Sequence, residues 1–321
     1  MPSWEIIWPR TRPAGTALDV LFVRVYISQV FNCFGDNLSF SVRAGGLTFQ
    51  IKLVELGKLH IHEEIIPMLL DSMVDEITSS GMLNHPIIAD VNTLVVLDGM
   101  HRVAALRKIL CRSVPACLVD YDDPKVKVGC WYRTIYGDTS IDELLDSIRR
   151  FRIKLSKVSN ADAKGLLDHR EAVAALFTKD NCYAVRANAK GIREAYAWVG
   201  RIEKTLSADG MKINYETERD AEEKVMAGEA VATIMTPSVA KEEVLEAALS
   251  EKLFAHKTTR HVVPARPMCV DVPLKWLMAG KSIEEANKML IEHLAKREMK
   301  RLPKGSVFEG RRYEEELVVF K

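Results

Sequence analysis

Residues 94–110 read LVVLDGMHRVAALRKIL, a run of aliphatics that passes through Asp-Gly-Met-His-Arg into a helical pattern. A buried strand handing over to a helix across a glycine is the joint of an α/β unit, and it leaves little choice of local fold. Gly99 permits a close backbone approach at the strand tip, and the helix that follows offers unpaired N–H groups and a positive dipole end. His101 and Arg102 add donors, and an arginine fork matches phosphate oxygens in pairs. Asp98 could hold a metal ion or receive a proton; as an alternative it caps the helix while His101 and Arg102 are solvated.

The neighbouring text supports a mixed sheet. QIKLVEL suggests a strand, and apolar residues recur at helical spacing from Ile65 to Ile77. A Ser-Ser-Gly turn follows, then HPIIAD and TLVVL as two short strands around the Asp90–Asn92 turn. SVPACLVDY and VKVGCWYRTI each read as a further strand. An α/β or α+β domain over about residues 49–138 is the expectation. IDELLDSIRRF, with acids in its first turn and arginines near its end, opens a second module. There EAVAALFT (171–178) echoes EAVATIMT (229–236), which two copies of a helix–strand unit would explain, as would chance between two Ala/Val strings. VAKEEVLEAALSEKLF (239–254), SIEEANKMLIEHLAKREMKR and a closing EEELVVF complete the pattern as two helices and a strand.

Two further clusters could carry chemistry. HKTTRHVVP gathers threonines, an arginine and two histidines just past a helix, donors suited to phosphate or carboxylate, or equally the residues of an ordinary polar loop. HIHEE lacks the second half of a zinc-protease motif but offers Glu63 or Glu64 as a general base, or as first-turn acids of a helix.

The global numbers narrow the classes. A formal net charge of +1 gives no overall field toward nucleic acid. The six cysteines are scattered with no Cys-x-x-Cys pair, which argues for a reducing cytoplasm and against a structural zinc site. LDVLFVRVYISQVFNCF carries Arg24 near its centre and is a poor leader or membrane span.

In order, VELGKLHIHEE, TSSG, HPIIA, VVLDGMHRVAAL, PACLVDYDD and VKVGCWYR resemble the ParB/sulfiredoxin-like domain, and most closely its free L-serine kinases. KEEVLEAALSEKLFAHKTTRHVVPARP is similar to the C-terminal Lys-Thr-Thr-Arg-His-Val segment of those kinases. The resemblance implies an α/β (α+β) fold: a ParB/sulfiredoxin-like domain with a mixed sheet, plus a second α/β domain forming a cleft with it. The segments would be an N-terminal extension 1–48, a nucleotide-binding domain 49–140, a second domain 141–280 carrying the Lys-Thr-Thr-Arg-His loop, and a C-terminal extension 281–321.

It further implies phosphoryl transfer to free L-serine from ATP, or ADP, with Mg²⁺, serving cysteine or related amino-acid biosynthesis. Glu63 would be general base, with Asp98 sharing that duty or placing Mg²⁺. Thr78, Ser80, Gly99, His101 and Arg102 would hold the nucleotide, and Trp131, Thr259, Arg260 and His261 the substrate. Met100 stands where the kinases carry the first histidine of the loop and sulfiredoxins their cysteine, which removes sulfinic-acid repair. The alternatives are a kinase for a related amino acid, or a ParB-type nucleotide-dependent DNA-binding regulator. No basic recognition helix follows residue 138, which argues against nucleic acid.

Overall fold

The computed structural model describes residues 38–321, and it is mixed α/β as expected. The extension before residue 38, including the LDVLFVRVYISQVFNCF stretch, lies outside the described residues. Its described end belongs to the first sheet, where Phe40–Ala44 makes a hairpin with Leu47–Glu55 around Gly45 and Gly46.

The first sheet has the strand order Phe40–Ala44, Leu47–Glu55, Ser113–Val119, Ile87–Asp90, Val96–Asp98. All pairs are antiparallel except Ile87–Asp90 with Ser113–Val119. That parallel pair needs a crossover, which the strand Val96–Asp98 and the helix Met100–Lys108 supply. Ser113–Val119 is buried along its whole length, as its unbroken apolar text required.

Three segments depart from the expected elements. HIHEE does not open a helix; it runs extended, with bridges from His60 to Val95 and Glu63 to Phe254. The helix starts only at Pro67, because proline fits the first helical position and keeps the residue before it extended. VKVGCWYRTI is broken in two. Lys127–Gly129 pairs with Arg260–Val262, while Tyr132–Tyr136 enters the second sheet. The ladder ends between them because the Cys130 N–H donates to the Glu218 carboxylate instead of a strand (3.0 Å). HKTTRH is not all loop, since Arg260–Val262 is a strand.

The six-stranded second sheet explains the internal echo. Tyr132–Tyr136, Ile141–Arg149, Lys154–Val158, Asn160–Asp168 and Ala174–Thr178 form one strand–helix–strand–helix–strand unit. Cys182–Arg186, Ile192–Ala208, Lys212–Glu216, Glu218–Ala227 and Ala232–Met235 repeat it. The units exchange their middle strands: Lys154–Val158 pairs with Cys182–Arg186, and Lys212–Glu216 with Tyr132–Tyr136. Their last strands meet antiparallel at the centre, Leu176 opposite Ile234. Thus the two Ala/Val strings are equivalent central strands, both wholly buried between helices on either face.

The C-terminal residues pack on the first half. The helix Ile283–Ala295, started by a Ser282/Glu285 capping box, lies on Leu47–Glu55. Strand Phe40–Ala44 runs out opposite Ile51, and two residues further on Asn287 takes over the pairing. Its Oδ1 accepts from the Leu53 N–H (2.7 Å) and its Nδ2 donates to the Leu53 carbonyl (3.2 Å). Each such buried bond is worth about 1 kcal/mol net, and more is lost if a group is left unpaired. Glu316–Phe320 then lies between Ala265–Met268 and Met299–Leu302.

Candidate active site

Two chain breaks meet at the site. Trp131 stands where the chain leaves one sheet for the other, and Lys257 stands where the helix Lys241–Leu249 has ended and the strand Arg260–Val262 has not begun. Lys257 has φ +61°, a left-handed conformation that a lysine adopts only when its surroundings impose it. What imposes it is Glu63. The Glu63 Oε2 accepts from the Lys257 N–H (3.0 Å), and Oε1 accepts from the Thr259 N–H (2.6 Å) and hydroxyl (2.7 Å). The Glu63–Phe254 bridge brings the two segments together.

Glu63 is buried, and burial pushes its carboxyl up, while the bonds from Thr259 and Lys257 oppose the rise. Thr259 gives its hydroxyl proton to Glu63, so it must accept one from the His62 Nε2 (2.8 Å). His62 is therefore neutral with its proton on Nε2, and burial takes its pKa down to about 4. Glu64 is exposed.

The Lys257 ammonium lies over the Trp131 ring at 4.6 Å, and the Trp131 indole N–H donates to the Thr259 carbonyl (3.0 Å). Burial lowers the Lys257 pKa, Glu63 opposes that, and Arg311 adds to it.

The start of the helix Met100–Lys108 adjoins this group, since His101 accepts from the Ile66 N–H three residues beyond Glu63. Gly99 has φ +96°, and a Cβ there would come within 2.8 Å of the Ile87 side chain and 2.9 Å of the Arg102 guanidinium, so both backbone and space require glycine. No side chain caps the helix, which leaves its first-turn N–H groups as an anion cradle. His101 accepts the Ile66 N–H on Nε2 (3.1 Å), so its proton is on Nδ1; burial, then Lys257, lower its pKa. The ring is neutral, with its Nδ1–H available as a donor. The His256 ring stands edge-on to it at 5.3 Å.

Asp98 does not cap the helix. Its Oδ2 accepts from Arg102 Nη2 (3.1 Å) and from Arg266 Nη1. Partial burial alone would lift its carboxyl, but Arg266, Arg102 and Arg311 hold it well below the usual carboxylate range. Arg102 also donates to the carbonyls of His85 (3.1 Å) and Pro86 (2.6 Å), so its guanidinium braces the loop below the cradle.

The remaining expected residues fall around this pair. Arg260 is gripped by Glu218 (2.8 Å) and Glu314 (2.6 Å), which occupies both arms that were expected to hold substrate. His261 is buried behind Thr259, against the His62 ring (5.3 Å) and hydrogen-bonded to the Tyr121 hydroxyl (2.8 Å). Thr78 and Ser80 close the helix Pro67–Ser80, with hydroxyls turned to that helix's own carbonyls. Lys257, His62 and Arg266 belong to the site as well; the Lys-Thr-Thr string pointed to the first, whereas nothing local pointed to Arg266.

Among the described residues no group of three His, Cys, Asp or Glu is placed to hold a metal ion. Asp98 is already neutralised by arginines and both Glu63 oxygens accept N–H groups, so the residues present do not fit a resident cation.

No protein-family model matches the chain. It is 30% identical over 232 residues to an ATP-dependent L-serine kinase of Staphylothermus marinus, covering 69% of this chain and 89% of the relative. It is 28% identical over 230 residues to an ADP-dependent L-serine kinase of Thermococcus kodakarensis, covering 70% and 91%. A solved free serine kinase in complex with AMP superposes with a TM-score of 0.60 at 26% identity, over 71% of this chain and 93% of the other. A buried glutamate clasped by a Lys-Thr-Thr segment, opposite an open helix N-terminus, agrees with these likenesses, and the chain belongs to the L-serine kinase family.

Proposed function

We propose that the protein transfers the terminal phosphoryl group of a nucleotide to the hydroxyl of free L-serine, giving O-phospho-L-serine. One observation carries the chemical reading: a buried carboxylate of raised proton affinity, Glu63, accepts from the Lys257 N–H and lies three residues from Ile66, whose N–H donates to His101 in the first turn of an uncapped helix. A serine hydroxyl is a poor nucleophile, and Glu63 takes its proton as the new O–P bond forms and the bond to the leaving nucleotide breaks. Thr259 and His62 hold the carboxylate in place. The free N–H groups after Gly99, the His101 Nδ1–H and the Lys257 ammonium neutralise phosphate charge, with Thr78 and Ser80 bordering the nucleotide. Serine lies against Trp131 and Thr259, beside Glu63. Arg102, Asp98, Arg260 and His261 support these groups from behind. The residues present do not fit a resident ion, so Mg²⁺ would come with the nucleotide as part of the substrate and would offset phosphate charge there.

ATP is the donor to test first, with ADP beside it. The phosphate of the product is a good leaving group for replacement by sulfur, which suits a place in cysteine biosynthesis in the cytoplasm. No helix among the described residues is long and apolar enough to cross a membrane. The chain after residue 138 builds a sheet domain where a DNA-reading protein of this class has a helix-turn-helix, which favours the kinase over the regulator. The test is purified protein with Mg²⁺, L-serine, and ATP or ADP in parallel arms, followed by mass spectrometry for O-phosphoserine, with L-threonine and D-serine as competing acceptors. Serine-dependent product in either arm is expected. Nucleotide turnover indifferent to serine, or none, overturns the reading.

A further inference from the structure

The Lys257–Thr259 turn is held from both sides. Its N–H groups go to Glu63, which accepts from Lys257 (3.0 Å) and Thr259 (2.6 Å). Its carbonyls accept from two ring donors. The Thr259 carbonyl takes the Trp131 indole N–H (3.0 Å), and the Thr258 carbonyl takes the Tyr196 hydroxyl (3.0 Å). Tyr196 belongs to the helix Ile192–Ala208 and is 1% exposed. Arg133 lies over its ring, the guanidinium carbon 5.6 Å from the ring centre, and donates through Nη1 to the Trp131 carbonyl (2.6 Å). The Tyr196 oxygen also lies 2.9 Å from the Pro237 carbonyl and 3.3 Å from the Thr236 hydroxyl, so its one proton is shared between two carbonyls.

A single peptide unit carries the contact to Tyr196 and the contact to Glu63. The Thr258 C=O and the Thr259 N–H belong to one planar group and point in opposite directions. A donor at the carbonyl fixes the direction of the N–H and polarises it toward its acceptor, which is Glu63 Oε1. Resting on the kinase reading, we infer that Tyr196 is a positioning residue for the base: its hydroxyl, acting through the Thr258–Thr259 peptide, aims and steadies the Glu63 carboxylate. The Thr259 N–H favours the charged carboxylate against its burial, so a slack peptide lets the proton affinity of Glu63 rise further. The other charged and titratable groups around Glu63 are Lys257 and His62, with Arg133 behind Tyr196. None of these three bonds to the phenol oxygen, and its removal leaves their hydrogen bonds in place.

The test compares the full chain with Tyr196→Phe, with Tyr196 replaced by a tyrosine fluorinated beside its hydroxyl, and with Tyr136→Phe. Tyr136 donates to Glu216 (2.6 Å) on the second sheet, so its variant also loses a hydroxyl bond but leaves the turn alone. One readout is the pH profile of O-phosphoserine formation. The other is titration of the Glu63 carboxyl carbon by NMR on glutamate-labelled protein, assigned by its loss in Glu63→Gln. Tyr196→Phe should lower kcat about tenfold with the KM values for serine and ATP near the parent. It should also move the acid limb and the Glu63 titration to higher pH. The fluorinated phenol is a stronger donor and should move the titration the other way; because it keeps the hydroxyl, it decides the matter if Tyr196→Phe does not fold. Tyr136→Phe should match the parent in both readouts. A Glu63 titration that neither Tyr196 variant moves, or one that Tyr136→Phe moves equally, would overturn the role of Tyr196. A parent that makes no phosphoserine, while its Glu63 titration still follows Tyr196, would sink the kinase reading alone.

Discussion

Two carboxylates belong to this site, and their surroundings drive them in opposite directions. Glu63 is enclosed by backbone N–H groups, a threonine and a neutral histidine, and its proton affinity rises. Asp98 is enclosed by guanidiniums and its proton affinity falls. A carboxylate in an apolar, hydrogen-bonded niche can collect a proton near neutral pH, whereas one held by arginines stays an anion and fixes their positions. The same functional group is therefore suited to the proposed base role in one place and to holding arginines in the other. The arginine partners of Asp98 favour the proposed assignment of the base role to Glu63 alone over the shared duty expected of Asp98.

Substitution tests the contrast most directly. Glu63→Gln should lower kcat by about 10²–10⁴. In the parent, activity should be lost as pH falls through a pKa above the ordinary carboxylate value, since protonation removes the base. Near-normal turnover in the variant, or an acid limb at the ordinary value, would make Glu63 no different from Asp98. Asp98→Asn should act on the fold. It leaves Arg266 and Arg102 facing each other without their shared anion, and a loss of about 1–3 kcal/mol in denaturant unfolding is expected after allowing for solvent at the 40% exposed carboxylate. A collapse of kcat with unchanged stability would instead put Asp98 in the chemistry. Arg260→Ala carries the smallest effect: about 1–2 kcal/mol of stability as Glu218 and Glu314 lose their partner, with kcat within a few-fold of the parent. A large rise in the serine KM of a stably folded variant would return Arg260 to the substrate.

How far the text could be read ahead of the structure varied by element for physical reasons. Ser113–Val119, Ile141–Arg149, Ile283–Ala295 and Glu316–Phe320 follow from hydrophobic period and capping, which are local. The break at Cys130 was not legible, because the group that ends the ladder belongs to Glu218, on a helix of the other repeat. The repeat showed only as two Ala/Val strings, since its remaining strands keep the pattern without the letters. Arg260 sits beside Thr259 in sequence yet turns away from it, because successive side chains of the strand Arg260–Val262 take opposite faces, whereas His261 comes back to the side of Thr259 and packs on the His62 ring.

The sequence by itself determined the strand–glycine–helix joint at Asp98–Arg102, the donor-rich Lys-Thr-Thr-Arg-His string, and the acids beside His62. Those are properties of residue types at short spacing. Only the tertiary structure decided which carboxylate has its proton affinity raised and which has it lowered. Proton affinity is set by burial and by charges from partners far along the chain, Thr259 for Glu63 and Arg266 for Asp98, and short spacing carries no record of either.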